Sequence, residues 1–318
     1  MMFSGRPPIF GLARALVVWG TAAAALVACG GGTSQQQTFQ PTRVIAFGDE
    51  TSLLQADGRK FAVNALNADD TLDCTSYPLW VQAVATSYSF VFNECKTATS
   101  TETKALMRAT LGGKAADLKL QVDAMVAAGG FNSKDLVTML VGANDVLELY
   151  AQFPTRTEAA LTTDVRARGD AIAAQVNRVV GLGGKVIIST VVDLGLSPFA
   201  AAQNRAFPGT DRALLLSRLT SELNARIRVG IVNDGRYVGL VLADEMVQVM
   251  VRAPTAFGLT DAATVACSAA LPNCTTKTLA GTATADTWLW ADGTRLSAGG
   301  QARLGLLAQQ RALNNPFF

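Results

Sequence analysis

Val44-Ile45-Ala46-Phe47-Gly48-Asp49-Glu50-Thr51-Ser52, residues 44–52, reads as a buried strand that breaks at a turn. An apolar run with β-branched members suits a strand covered on both faces. Glycine followed by aspartate is turn chemistry, so the chain should reverse there and present Glu50. The same punctuation recurs downstream. A strand expected at Leu136 to Val141 runs into Gly142-Ala143-Asn144-Asp145, and one at Lys185 to Val191 into Val192-Asp193-Leu194-Gly195. Further strands are expected at Ser87 to Phe92 and Tyr237 to Leu242. Between them lie amphipathic segments at Pro78 to Val84, Ala115 to Ala128, Glu158 to Val180, Asp211 to Val229 and Ala298 to Leu313. In the fourth of these, Leu216, Leu219, Leu223 and Ile227 fall on one helical stripe. Strands alternating with helices of this length call for a parallel sheet covered on both faces. In such a sheet, ligand-facing groups collect in the loops at the carboxyl edge. The three turns above share that edge.

Residues 43–318 read as one domain, without internal repeats or a second composition regime. The whole 318-residue chain is 49% apolar and 16% charged, which suits a substantial core. The N-terminus reads as an export segment: Arg6 and Arg14 supply positive charge, and Leu16 to Val27 is a short apolar run. It ends in Leu26-Val27-Ala28-Cys29, which resembles a bacterial lipoprotein signal. On that reading residues 1–28 are removed, Cys29 carries the lipid, and residues 29–42 are a flexible tether. The expected location is the cell envelope, facing the periplasm, with Gly30 after the cysteine leaning toward the outer membrane. The alternatives are a simple transmembrane anchor or a cleaved secretory signal. Residues 1–28 hold two arginines and no acidic residue, so the remaining Lys and Arg equal the 25 acidic residues. A neutral surface argues against nucleic acid as a partner.

Four cysteines follow Cys29. In an exported chain, sequence proximity favours disulfides Cys74 with Cys95 and Cys267 with Cys274; the alternative is four buried thiols. The chain contains no histidine, so a zinc site has little to draw on. No metal or cofactor is implied.

Taken in order, the turns resemble the SGNH or GDSL family of ester hydrolases. Phe47-Gly48-Asp49-Glu50 with Ser52 is similar to its first block, F-G-D-S-x-S, where the first serine is the nucleophile. Leu111-Gly112-Gly113 followed by Leu120-Gln121-Val122 is similar to the second, whose glycine offers an N–H to the oxyanion. Gly142-Ala143-Asn144-Asp145 matches the third, G-x-N-D, with asparagine as the other oxyanion donor. Trp290-Ala291-Asp292-Gly293-Thr294-Arg295 is similar to the last, D-x-x-H. Residues 190–200 and 252–261 agree with the lipase-like branch. The resemblance implies an α/β fold, a three-layer α/β/α sandwich with a central parallel sheet of about five strands, flavodoxin-like in topology. It also implies a small acyl or ester-like ligand.

Two departures fall on the residues that would do the chemistry. Glu50 stands at the nucleophile position and Arg295 at the histidine position, while Asp292, Asn144, Gly112 and Gly113 remain. A serine hydroxyl needs an adjacent base, which histidine supplies by titrating near neutral pH. Arginine stays protonated and cannot take that role. A glutamate attacking an ester would yield a mixed anhydride with no local base to direct water to it. Ser52 is expected to enter a helix and cap it, and Asp49 to stabilise its turn. The expectation is therefore an inactive hydrolase frame with a binding or accessory role. A weak or atypical ester hydrolase and a purely structural envelope protein are the alternatives. Glu50 and Arg295 are expected to pair across the old site, with Asp292 as a second carboxylate for the guanidinium. Otherwise both face solvent.

Overall fold

Arg43–Gly48 forms the first strand, β1, and from Val44 onward every residue is buried, as its unbroken apolar run requires. The computed structural model describes residues 1, 2, 5, 38–100 and 102–317. Cys29, the rest of the expected leader and the tether up to residue 37 lie outside the described residues, except residues 1, 2 and 5. The expected tether ends sooner than residue 42. Phe39 is 7% exposed and packs edge-on against Phe317, ring centroids 5.5 Å apart, so the compact unit begins at Thr38. One aromatic side chain in a polar stretch suffices to dock it.

After β1 come β2 (Ala65–Leu66), β3 (Leu72–Asp73), β4 (Ala105–Met107), β5 (Asp135–Leu140), β6 (Lys185–Ser189), β7 (Val238–Val241), β8 (Asp261–Val265) and β9 (Trp288–Trp290). The helices are α1 (Trp80–Thr86), α2 (Ala115–Ala127), α3 (Ala143–Tyr150), α4 (Glu158–Gly181), α5 (Pro198–Ala206), α6 (Arg212–Gly230), α7 (Ala243–Arg252) and α8 (Ala298–Asn314). The main sheet runs β4-β1-β5-β6-β7, all parallel. This is the flavodoxin-like 2-1-3-4-5 order, whose topological switch point falls between β1 and β5. Helices α2, α4 and α6 pack together on one side, and α1 packs on α8, which lies against β6 and β7. Leu216, Leu219, Leu223 and Ile227 of α6 are all buried. Each such side chain contributes on the order of 1.5–3 kcal/mol of transfer free energy. Asp211 caps that helix by accepting from the Leu214 N–H at 2.8 Å.

One expected strand is absent. Ser89 takes a left-handed φ of 61° just after α1 and turns the chain. Phe90 and Phe92 then enter the core as an irregular segment, with Phe92 making a single bridge to Ala105. The edge strand is β4 instead, three residues too short and too poor in β-branched types to stand out. Helices α3, α5 and α7, of eight, nine and ten residues, are also additional to the expected ones.

A smaller assembly flanks the sandwich, built from the β2–β3 hairpin, the β8–β9 pair and the loop after Ala266. Its core is mostly alanines with Val63 and Trp288. Disulfide Cys267–Cys274 closes a loop within it, and Cys74–Cys95 ties the end of the β2–β3 hairpin to the main core at the segment after Phe92, with Cα atoms 5.8 and 5.4 Å apart respectively. For so small an apolar core, limiting the freedom of the unfolded chain matters more than usual. No helix of the described residues is long and apolar enough to cross a membrane.

Candidate functional site: the carboxyl edge of the sheet

The β1 turn is held by backbone geometry first. Gly48 has φ 133°, and a Cβ there would meet the Leu140 carbonyl oxygen at 1.9 Å, so only glycine fits beside β5. The buried Gln121 side chain of α2 brackets the same residue. Its Oε1 accepts from the Gly48 N–H at 2.8 Å and its Nε2 donates to the Gly48 carbonyl at 2.9 Å. Asp49 secures the turn through the Thr51 N–H, which donates to Oδ1 at 2.9 Å. Its other oxygen has no hydrogen-bond partner. Burial, then the neighbouring Glu50 charge, push the Asp49 carboxyl up to about 7.

Glu50 follows, 5% exposed, and both of its oxygens are engaged. Oε1 accepts from Arg295 Nη2 at 2.6 Å and Nε at 3.1 Å. Oε2 accepts from the Gly112 N–H at 2.9 Å and from Asn144 Nδ2 at 3.1 Å. Burial pushes this carboxyl up, but the Arg295 charge and the donated hydrogen bonds outweigh it and hold it below its ordinary value. Arg295 is held in turn by Asp292. The aspartate Oδ2 accepts from Nη1 at 2.6 Å, and its Oδ1 accepts from the backbone N–H groups of Thr294 and Arg295. The guanidinium also lies 5.8 Å from the centre of the Phe61 ring. Burial lowers the Arg295 pKa, but the Asp292 and Glu50 charges more than reverse that, so the group stays a cation.

The two glycines divide the work. Gly112 takes φ 70° and aims its N–H at Glu50. Gly113 is a packing residue, since a Cβ on it would meet the Gly48 carbonyl at 2.8 Å. Asn144 is fixed by a second bond, donating to the Gly113 carbonyl at 3.1 Å. Asp145 ties α3 to the start of α2 by accepting from the Ala115 N–H at 2.9 Å, which keeps Asn144 and the glycine loop in mutual register. Its burial pushes that carboxyl up to about 6.

Ser52 departs from expectation. It lies in the turn rather than in a helix, is fully buried, and its Oγ accepts from Trp80 Nε1 at 3.1 Å. An indole N–H is a donor only and cannot serve as a base for that hydroxyl. Two further side chains join the site: Gln121, which the second motif block contains without a role, and Phe61. The signal for Gln121 was legible: it is a polar residue on the same helix face as Leu118, Val122 and Met125. Nothing in the sequence pointed to Phe61.

The space left among Glu50, Leu147, Val192 and Arg295 is about 20 Å³, room for a single water. Among the described residues, no group of three or more histidine, cysteine or acidic side chains could hold a metal ion.

A parallel 2-1-3-4-5 sheet with polar groups gathered at its switch point defines this chain as a three-layer α/β protein of the flavodoxin-like kind. Solved structures similar to it include a GDSL-like protein from Parabacteroides merdae, at 13% identity over 86% of this chain and 97% of that one, TM-score 0.43. A member of the lipolytic G-D-S-L family from Veillonella parvula is similar at 10% identity over 86% and 96%, TM-score 0.39. A catalytic mutant of an acetylxylan esterase from Geobacillus stearothermophilus is similar at 12% identity over 89% and 98%, TM-score 0.41. Neither a protein-family model nor a curated protein matches the chain. Nothing about chemistry follows from likenesses of this size.

Proposed function

We propose that the chain is a lipid-anchored envelope protein that keeps the frame of a GDSL-type ester hydrolase, has lost hydrolysis, and serves as a binding or accessory protein. One observation carries the loss of hydrolysis. The Glu50 carboxylate takes the Gly112 N–H, the Asn144 amide and the Arg295 guanidinium together. Donors that would stabilise an oxyanion are thus already bound to an anion of the protein itself. The group at the base position is a permanent cation, which can neither accept a proton nor return one to a leaving alcohol. Glu50 is a poor substitute nucleophile, because both its oxygens are hydrogen-bonded and its low pKa marks a stabilised, weakly reactive carboxylate.

The test pairs turnover with labelling. Purified protein incubated with p-nitrophenyl butyrate should hydrolyse it no faster than a heat-killed control, and a fluorophosphonate probe should label no serine. Turnover together with a labelled serine would refute the inactive reading. The double variant Glu50→Ser with Arg295→His should gain measurable hydrolysis, whereas Glu50→Ser alone should gain none, since the nucleophile and its base act as a unit. Activity in the single variant would reveal another base.

A further inference from the structure

A second cavity lies away from the Glu50 site. It is a groove of about 730 Å³ between α7 and α8, at the β7 edge of the sheet. Its walls are Met246 and Val249 from α7 and Leu306 and Leu307 from α8. Val249 and Leu306 remain 45% and 48% exposed, an unusual arrangement for apolar side chains that face one another across a cleft. A volume in this range suits a small-molecule ligand.

The charges around the groove are unbalanced. Its one carboxylate, Glu245, already accepts from Arg228 Nη2 at 3.1 Å. Arg303 spends a guanidinium N–H on the Phe257 carbonyl, and the Pro254–Phe257 turn stands at that end. At the other end Arg311 lines the groove with no carboxylate in ion-pair distance among the described residues. The groove therefore carries two guanidinium groups and one carboxylate that is already paired, around an apolar middle, and of the two arginines Arg311 is the one with no carbonyl or carboxylate partner among the described residues. A net positive groove with apolar walls matches an amphipathic anion rather than a neutral or cationic one.

We propose that the groove binds a linear amphipathic carboxylate, with its alkyl chain between the Met246–Val249 and Leu306–Leu307 walls and its carboxylate on Arg311. The pairing is charge-assisted, and a guanidinium receives a carboxylate with two parallel hydrogen bonds. No residue of the Glu50 site lines this groove. The two proposals therefore fail separately: absence of binding here leaves the hydrolytic reading untouched, and ester turnover there leaves this one untouched.

Isothermal titration of the purified full chain with sodium laurate tests it, with dodecyltrimethylammonium as a control of equal chain length and opposite charge. Laurate should bind saturably at one site and the cation should not. Arg311→Glu should weaken laurate roughly tenfold or more, a change of about 1.4 kcal/mol. Val249→Glu and Leu306→Glu each place a carboxylate in the alkyl path. Both positions are half-exposed, so each variant should keep the parent's circular dichroism and melting temperature while losing the site. Should one misfold, the other decides. Absence of saturable binding, equal binding of the cation, or undiminished binding in the folded variants overturns the proposal. So does a concentration-dependent dimer that Leu306→Glu dissolves, which would assign the groove to a second copy of the chain.

Discussion

The main sheet carries a buried arginine–carboxylate pair at each end, and the two are built differently. At the amino end, Arg43 and Asp135 open adjacent strands and are partners in register. Asp135 accepts from Arg43 Nε and Nη2 at 2.7 and 2.8 Å, and its other donors come from Asn132, three residues away. At the carboxyl end, Glu50 draws its donors from the β4–α2 loop, the start of α3 and the loop before α8. The first pair staples two neighbouring strands, and the remaining bonds to its carboxylate, from Asn132, only close a local turn. The second gathers groups from four segments that are distant from one another in sequence. The lesson is that a buried ion pair says little about function by itself. Who else donates to the carboxylate, and from how far along the chain, says more.

Breaking the carboxyl-end pair should have the largest effect. Arg295→Met leaves Glu50 buried without its cation and should cost about 3–5 kcal/mol in urea unfolding. Combining it with Glu50→Leu should recover most of that loss, because replacing both charges by apolar groups removes the stranded one. If Arg295→Met alone is mild, the pair is looser than described. Asp135→Ala at the amino end should cost less, about 2 kcal/mol. The Arg43 side chain it releases is 28% exposed and keeps the Gly130 carbonyl at 2.9 Å.

Next comes a pH effect that distinguishes the two ends. Asp49, beside Glu50, is pushed from 3.8 up to about 7, so the folded state holds a proton that the unfolded chain releases. Its contribution to stability therefore falls as pH rises through that window. Glu50, held below its ordinary value, works the other way, stabilising the fold above 4.5 and losing that contribution on acidification. Asp49→Asn should remove the first slope, which for one proton approaches about 1.4 kcal/mol per pH unit, and so gain stability at pH 8 relative to pH 5. Urea midpoints across this range would show it; an unchanged slope would mean that Asp49 stays ionised. The smallest effect is expected from Arg226→Ala, whose pair with Asp170 is exposed on both sides and screened by solvent. No resolvable change in melting temperature is expected.

Legibility followed locality. The run from Val44 to Phe47 and the Gly48-Asp49 turn could be read because strand periodicity and turn chemistry are encoded within a few residues. The longer helices were legible for the same reason, through their apolar stripes. Ser87–Phe92 misled because its aromatic content reflects core packing rather than a ladder, and β4 was silent because its pairing partners, not its residues, make it a strand. In the site, the candidate positions stood at motif-bearing turns. The choice of Gly112 over Gly113 as donor, the bracket made by Gln121 and the Phe61 ring beside Arg295 were not readable, since each depends on segments meeting in space.

By itself the sequence determined that no histidine is available and that a carboxylate and a guanidinium, Glu50 and Arg295, stand at two of the motif-bearing turns, because residue types alone decide which groups titrate near neutral pH. Only the tertiary structure decided how those two charges are housed. Glu50 and Arg295 are 245 residues apart, and whether two such charges hydrate separately or meet at 2.6 Å depends on where the sheet delivers its loops and how little water reaches them. The groove between α7 and α8 belongs to the same category. Its apolar residues are ordinary helix residues in the sequence, and they become a cavity wall only because two helices pack at one sheet edge with space left between them.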